Sequence, residues 1–282
     1  MNASSRIGAL KIILCAFCLT LIGASPLKAN NKQQELTFGV FPYLSPRIIE
    51  KIYSPISEKF SEVLEQDIQF LTSSSYRKFM GNLDKQMYDI VFVQPFDYVM
   101  IADKYGYKPL AVRNEKLPAV LVVKPGSAVK SLSHLKGGVI GLPPKVAAIS
   151  YLIKRHLRAN GLIIGKTIKV KHFRSHFSCM HNVVIGSVAA CGTAPPAVRV
   201  FQSKMKRKLR IVAKTKGIPN SLFAIHPRVS KEKVAKLKAS ITSWHKFKGC
   251  RSLLTGAKVS SFATIEDSQY DEVRMMAKEI RN

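Results

Sequence analysis

Negative charge and long apolar runs are what this chain has least of. Only 17 of its 282 residues are Asp or Glu, against 45 Lys and Arg, a formal charge of +28. Such an excess sets the sign of a partner, whether polyanion, membrane headgroup or small oxyanion, without naming it. A proteome that is basic throughout produces the same number with no functional meaning. The apolar run Ile12 to Gly23 is too short to span a bilayer, and no second run follows it. Arg6 and Lys11 precede it and "SPLKAN" ends it at Ala29, the layout of a secretory signal peptide. Residues 1–29 are therefore expected to be removed, leaving a soluble exported chain. Cys15 and Cys18 lie inside the run, not after it where a lipid-modified cysteine would stand, so release is expected over a lipid anchor.

Without Arg6, Lys11 and Lys28, 42 basic residues face 17 acidic ones, a charge of +25. They are spread along the chain and not gathered into one arm or helix face, which with export argues against a nucleic-acid partner. Cysteine is scarce too: Cys179, Cys191 and Cys250 remain, with no CxxC among them. An oxidising compartment pairs thiols, and an odd count leaves at least one over. Connectivity stays open, and Cys179 and Cys191 read equally as a disulfide or as two small buried apolar residues.

What is present is alternation. "ELTFGVFPY" reads as a strand, Pro46 to Leu64 as a helix, "DIQFLTS" as a strand and "YRKFMGNLDKQM" as a helix. "YDIVFVQP" is an apolar strand of the kind buried on both faces of a parallel sheet, followed by helix "FDYVMIADKYG" and strand "KPLAVR". A second unit opens near Ala119: strand "AVLVVKPGS", a short capped helix "SLSHLKGG", strand "VIGLPP", helix "AAISYLIKRHLRANG", strand "IKVKHF", helix "CMHNVVIGSV" and a strand "AACGTAPPAV" running into a loop. Two strands within 209–227 and a helical remainder return to the first unit. The pattern predicts an α/β chain of two units, each a mainly parallel sheet flanked by helices, with a cleft between.

In an open sheet of this kind ligands collect at the carboxyl ends of strands, where helix N-termini offer unpaired N–H groups. Those ends carry Tyr43, Tyr76, Gln94 and Tyr98 in the first unit and Lys145, Ser150, Ser175, His176 and Thr193 in the second. Nearly all are hydrogen-bond donors. The tyrosines also suit aromatic packing at a cleft rim, and Ser73, Ser74, Ser75, Ser175 and Ser178 suit helix caps.

The stretch "KHFRSHFSCMHN" (171–182) raises two other chemistries. A zinc or copper site needs side chains converging on one point, whereas His172 falls on a strand, His176 in a loop, and Cys179 and His181 two apart on a helix, facing different sides. Cys179 at a helix N-terminus beside His176 has the surroundings of an activated thiolate, but no third residue orients the pair. Neither a metal, a cofactor nor catalysis is expected.

In order along the chain, "FGVFPYLSP", "YRKFMGNLDKQMYDIVFVQPFDYV", "VKSLSHLKGGVIGLPP", "FRSHFSCMHNVVIGSVAACGTAPPAV", "IPNSLFAIHP" and "DSQYDEVR" resemble the PhnD-like phosphate/phosphite/phosphonate-binding components of ABC transporters. The resemblance spans essentially the whole mature chain. It implies a type II periplasmic binding protein, with lobe one at 30–118 plus 226–282 and lobe two at 119–225. Two hinge strands near "LPAVLV" and "IPNSLFAI" join them, and a small anionic ligand is trapped on closure. It implies a monomer that serves an ABC permease; a membrane sensor protein is the other partner such a fold can serve. One departure stands out. The family's helix after "LPP" usually opens on Ser and Thr hydroxyls that hold phosphonate oxygens, whereas this chain has "PPKVAAISY", with Ala147 and Ala148 there. Hydrogen bonds to a charged group contribute roughly 1.5–3 kcal/mol each, so the departure puts the classical phosphonate ligand in question and leaves a small phosphonate- or phosphate-like oxyanion or anionic metabolite as the expectation.

Overall fold

A computed structural model describes residues 35–281; the expected signal peptide lies outside them. The 19-residue helix α1 (Pro46–Leu64) shows why the elements form where they do. Ile49, Tyr53, Ile56, Phe60 and Leu64 recur every three or four residues and are buried as one stripe, the helical period of 3.6. That stripe packs on β1 (Leu36–Val40), which pairs in parallel with β2 (Ile68–Leu71) and β3 (Ile90–Val93). Helix α2 (Tyr76–Asp84) precedes β3 and helix α3 (Pro95–Tyr105) follows it, leading to β4 (Lys108–Arg113).

The chain then leaves this sheet. β5 (Val120–Val123), β6 (Val139–Leu142), β7 (Lys169–His172), β8 (Ala190–Thr193) and β9 (Arg210–Lys214) form a second, five-stranded sheet in the order β7-β6-β8-β5-β9. Its helices are α4 (Ala148–Ala159), α5 (His176–Val184) and α6 (Pro195–Met205), with a 3-10 turn at Leu132–Leu135. β10 (Leu222–Ile225) returns to the first sheet and, with β11 (Phe262–Ala263), completes the order β11-β4-β10-β3-β1-β2. Helices α7 (Lys231–Ser243) and α8 (Arg251–Ala257), strand β11 (Phe262–Ala263) and helix α9 (Asp271–Arg281) close the fold.

Both sheets are mixed rather than mainly parallel. β6 is parallel to β7 and β8, but β5 is antiparallel to β8 and β9, and β10 is antiparallel to β3 and β4. A strand that arrives from the other sheet has no crossover helix to reverse it, so it enters against its neighbours. The loop expected after β8 is helix α6, because Pro195 and Pro196 occupy its first positions, where a missing N–H costs nothing. The two connections pair with each other: Leu117 and Ile218 exchange backbone hydrogen bonds of 2.8 and 3.2 Å, and Ala119 N donates 2.9 Å to Thr215 Oγ1.

The motif "DSQYDEVR" holds this crossing from outside. Tyr270 Oη donates 2.8 Å to Asn220 O, and Arg274 reaches Asp267 and Asp103 at 2.8 Å each. No helix among the described residues is long and apolar enough to cross a membrane.

Candidate functional site

Gln94 is the N-cap of α3 and Tyr76 the first residue of α2, so both stand where strand ends of the first sheet give way to helix. Gln94 does not cap its own helix. Its Nε2 donates 2.7 Å to the carbonyl of Val146, and its Oε1 accepts 2.9 Å from Ala148 N–H. Val146 lies in the β6–α4 loop of the second sheet and Ala148 opens α4. Ala147, the N-cap of α4, has no side chain that could accept from these amides. A helix start leaves N–H groups without intrahelical partners, and here a carboxamide from the other sheet supplies the oxygen. Phe96 and Tyr151 meet beside it, ring centroids 4.7 Å apart.

Behind Gln94 lies Asp97, which the sequence pattern did not single out. Its Oδ1 accepts from Tyr76 Oη, Gln94 Nε2 is 3.5 Å from that hydroxyl, and its Oδ2 is buried with no hydrogen-bond partner. Burial pushes the Asp97 carboxyl up to about 7, against the hydrogen bonds from Tyr76 and Gln94. In the sequence an acid in a helix's first turn reads as a favourable dipole contact. The burial that makes it a proton-holding group comes from packing.

In the second sheet, His176 opens α5 and its Nδ1 lies 2.9 Å from Thr193 Oγ1 at the end of β8. Burial pushes the imidazolium of His176 down to about 4, so in the unliganded chain the ring is neutral at neutral pH. The Ser175 hydroxyl accepts 3.1 Å from Ser178 N–H, and Ser178 Oγ accepts 3.2 Å from Ser175 N–H, a reciprocal cap. Lys145 is exposed in the β6–α4 loop.

Three of the expected residues are engaged elsewhere. Tyr98 is fully buried and donates to Asp267. Ser150 is fully buried, its hydroxyl 3.2 and 3.0 Å from the carbonyls of Pro143 and Pro144. Tyr43 is 42% exposed but stacks on Phe41 and lies 3.2 Å, oxygen to oxygen, from Tyr53. The structure thus gathers Tyr76 and Gln94 against α4, and His176 with Thr193 at α5, while the Tyr98 and Ser150 hydroxyls are committed within their own lobes' packing. A groove of about 640 Å³ beside Trp244, Phe247 and Cys250 lies apart from all of them.

The histidine and cysteine crowd of 171–182 separates in space. His172 Nδ1 is 2.7 Å from Pro143 O. Cys179 is bonded to Cys191, Cα atoms 5.8 Å apart, and Cys250 is free. A cysteine in a disulfide holds no thiolate, which removes the nucleophile the Cys/His enzyme reading requires. Among the described residues no group of three or more His, Cys, Asp or Glu is placed to hold a metal ion.

The profile of the family described as ABC transporter, phosphonate, periplasmic substrate-binding protein matches residues 38–270. No curated protein matches the sequence. Among solved structures, a PhnD protein of Prochlorococcus marinus in complex with methylphosphonate aligns with TM-score 0.74 at 17% identity, covering 87% of this chain and 98% of its own. A binding protein component of an ABC phosphonate transporter from Pseudomonas aeruginosa aligns with TM-score 0.70 at 16% identity, over 86% and 84%. The periplasmic aliphatic sulphonate binding protein SsuA of Escherichia coli aligns with TM-score 0.61 at 12% identity, over 88% and 91%. At these identities the likeness is one of fold, two-lobed and of type II.

Proposed function

The chain belongs to the family of periplasmic substrate-binding proteins of phosphonate ABC transporters, and from that premise we propose that it captures a small oxyanion or anionic metabolite between its lobes. The lobes are residues 30–118 with 226–282 and residues 119–225, and the connections around Leu117 and Ile218 act as the hinge. Substrate-binding proteins of this family work with an ABC permease and are not enzymes as a class; this member delivers its ligand without catalysis, after export on a cleaved residue 1–29 leader.

One observation carries the reading. The N–H end of α4, which has no capping side chain of its own, takes a carboxamide oxygen of the opposite sheet. An oxyanion oxygen is a stronger acceptor for the same N–H groups and is favoured by the helix dipole. Tyr76 and Gln94 from one side and Lys145, Ser175, His176 and Thr193 from the other complete the set, with Tyr43 at the rim. With Ala147 and Ala148 beside the α4 amides, a phosphonate would lose hydroxyl contacts, so the ligand is selected by backbone N–H groups and by charge.

The test is a thermal-shift screen of the chain from Asn30 with phosphate, phosphite, methylphosphonate, aliphatic sulphonates, arsenate and amino acids. A ligand present at 100 times its Kd stabilises the folded state by about 2.7 kcal/mol, a clear rise in Tm. No shift with any of them, and none with a broad library of anionic metabolites, would sink the small-anion reading.

A further inference from the structure

Residues 119–225 hold 19 of the chain's 45 Lys and Arg and none of its 17 Asp and Glu. A uniformly basic composition would thin the acids everywhere; here they are missing from one sheet and its helices. Among the described residues, the ion pairs that reach this segment are Arg155–Glu279 at 3.1 Å and Lys216–Glu272 at 3.8 Å, both with α9. Its other cations have to be neutralised by water, by salt or by a ligand.

Most exposed lysines need nothing more than water, because like charges on a surface keep apart. At the β6–α4 loop they do not. Lys145 is in that loop, Lys154 is the seventh residue of α4, and His172 ends β7, opposite Leu142 in register. The side chains of a helix lean toward its N-terminus, which carries Lys154 back along α4 toward the loop. His172 Nδ1 sits 2.7 Å from Pro143 O, two residues before Lys145. The electrostatics agree: burial first, then Lys145, hold the Lys154 ammonium below its ordinary range. Burial and, more weakly, both lysines hold the His172 imidazolium down. Two ammonium groups and an imidazole thus converge beside the α4 N–H that Gln94 reaches from the other sheet, in a segment with no carboxylate to offset them.

We propose that Lys145, Lys154 and His172 form a second anion subsite next to the α4 N-terminus. The ligand is then a small molecule with two separated anionic groups, such as a phosphonocarboxylate or a diphosphonate, in place of a singly headed phosphonate. The proposal rests on the anion-binding reading of the cleft and deepens it: one head takes the α4 amides, the other the cation cluster. His172 commits Nδ1–H to Pro143 O, so an anion at its Nε2 draws a proton onto the ring and turns that nitrogen into a donor.

The experiment is isothermal titration of the chain from Asn30 with methylphosphonate, phosphonoacetate and methylenediphosphonate at one salt concentration. Two variants follow: Lys145→Met with Lys154→Met, which keeps the apolar stems, and Lys204→Met with Lys208→Met, which removes equal charge from the exposed end of α6 and the turn after it. Melting curves confirm that each folds. The wild type is expected to bind the two doubly headed compounds about tenfold tighter than methylphosphonate, the ratio that about 1.4 kcal/mol produces. The first variant should bring that ratio close to one, and the second should leave it standing. Equal binding of all three by the wild type overturns the subsite. So does an equal loss of preference in both variants, which would make the effect one of overall charge. Binding of none of the three overturns the anion-binding reading itself, and the subsite with it.

Discussion

Asp97 and His176 are moved by the same cause in opposite chemical directions. Burial disfavours whichever form is charged, so the acid keeps its proton up to about 7, against an ordinary 3.8, and the imidazole loses its proton by about 4, against 6.5. Between pH 3.8 and 7 folded Asp97 holds a proton that the unfolded chain has released, so its contribution to stability falls as pH rises. Between pH 6.5 and 4 the unfolded chain binds a proton that folded His176 refuses, so that contribution falls as pH drops. The two slopes oppose one another in the wild type. Asp97→Asn removes the first: in urea denaturation its stability relative to wild type should climb from about pH 4 to about pH 7, by up to about 4 kcal/mol, because each tenfold change in proton affinity is worth about 1.4 kcal/mol. His176→Gln should give the opposite trend, climbing relative to wild type as the solution is acidified. Lines for variant and wild type that run parallel across this range would refute the assignment. Both positions lie in motifs that the sequence brings forward, "VQPFDYV" and "FRSHFSCMHN", yet only His176 could be chosen by type. Asp97 is one acid among 17, and nothing adjacent to it in sequence shows that Oδ2 is enclosed.

Elements were legible where the period is strong and both ends carry a signal. The buried runs of β3, β5 and β10, the stripe of α1 and the Ser-capped start of α2 follow from local composition. By contrast, α5 opens at His176, expected in a loop, three residues before the helix expected at Cys179, because Ser175 and Ser178 cap each other there. Direction within each sheet did not, because a strand's neighbours are set by where the connection re-enters. The pairing of Cys179 with Cys191 belongs to this scale: it ties α5 to β8 across 12 residues. Closing a loop of that size restricts the unfolded chain, and such a bond typically contributes about 2–4 kcal/mol. A reducing agent, or the pair Cys179→Ala with Cys191→Ala, should therefore lower the urea midpoint; an unchanged midpoint would count against the bond forming in solution. Gly39 in β1 offers a second check. A Cβ there would lie 2.5 Å from two ring carbons of fully buried Tyr88. Gly39→Ala should destabilise by about 1–3 kcal/mol through overpacking, while Gly81→Ala, with nothing near its Cβ, should not.

At the scale of the whole molecule, the two sheets communicate through the paired crossings, through Gln94 and through α9. Gln94 makes both of its inter-sheet bonds to residues more than 50 positions away, and Arg155 reaches Glu279 at 3.1 Å. If the connections around Leu117 and Ile218 bend, the Gln94 contacts are among those that must break, with the Phe96–Tyr151 ring contact and the Arg155–Glu279 pair. Gln94→Ala should raise the ligand-free radius of gyration in small-angle scattering, with its folded content unchanged by circular dichroism. An identical radius in variant and wild type would mean that the carboxamide does not hold the sheets together.

By itself the sequence determined the alternation of elements, the two crossings and the family. All of these are written in local periodicity and in motif order. The tertiary structure decided which donors are free to meet a ligand: it engaged the hydroxyls of Tyr98 and Ser150 with their own surroundings, joined Cys179 to Cys191, enclosed Asp97, and brought Gln94 to an α4 helix that lacks a cap. The physical reason is common to all four. A proton affinity or a hydrogen-bond partner depends on atoms within a few ångströms, and here those atoms come from residues that are not chain neighbours, from 6 positions away for Ser150 to 169 for Tyr98.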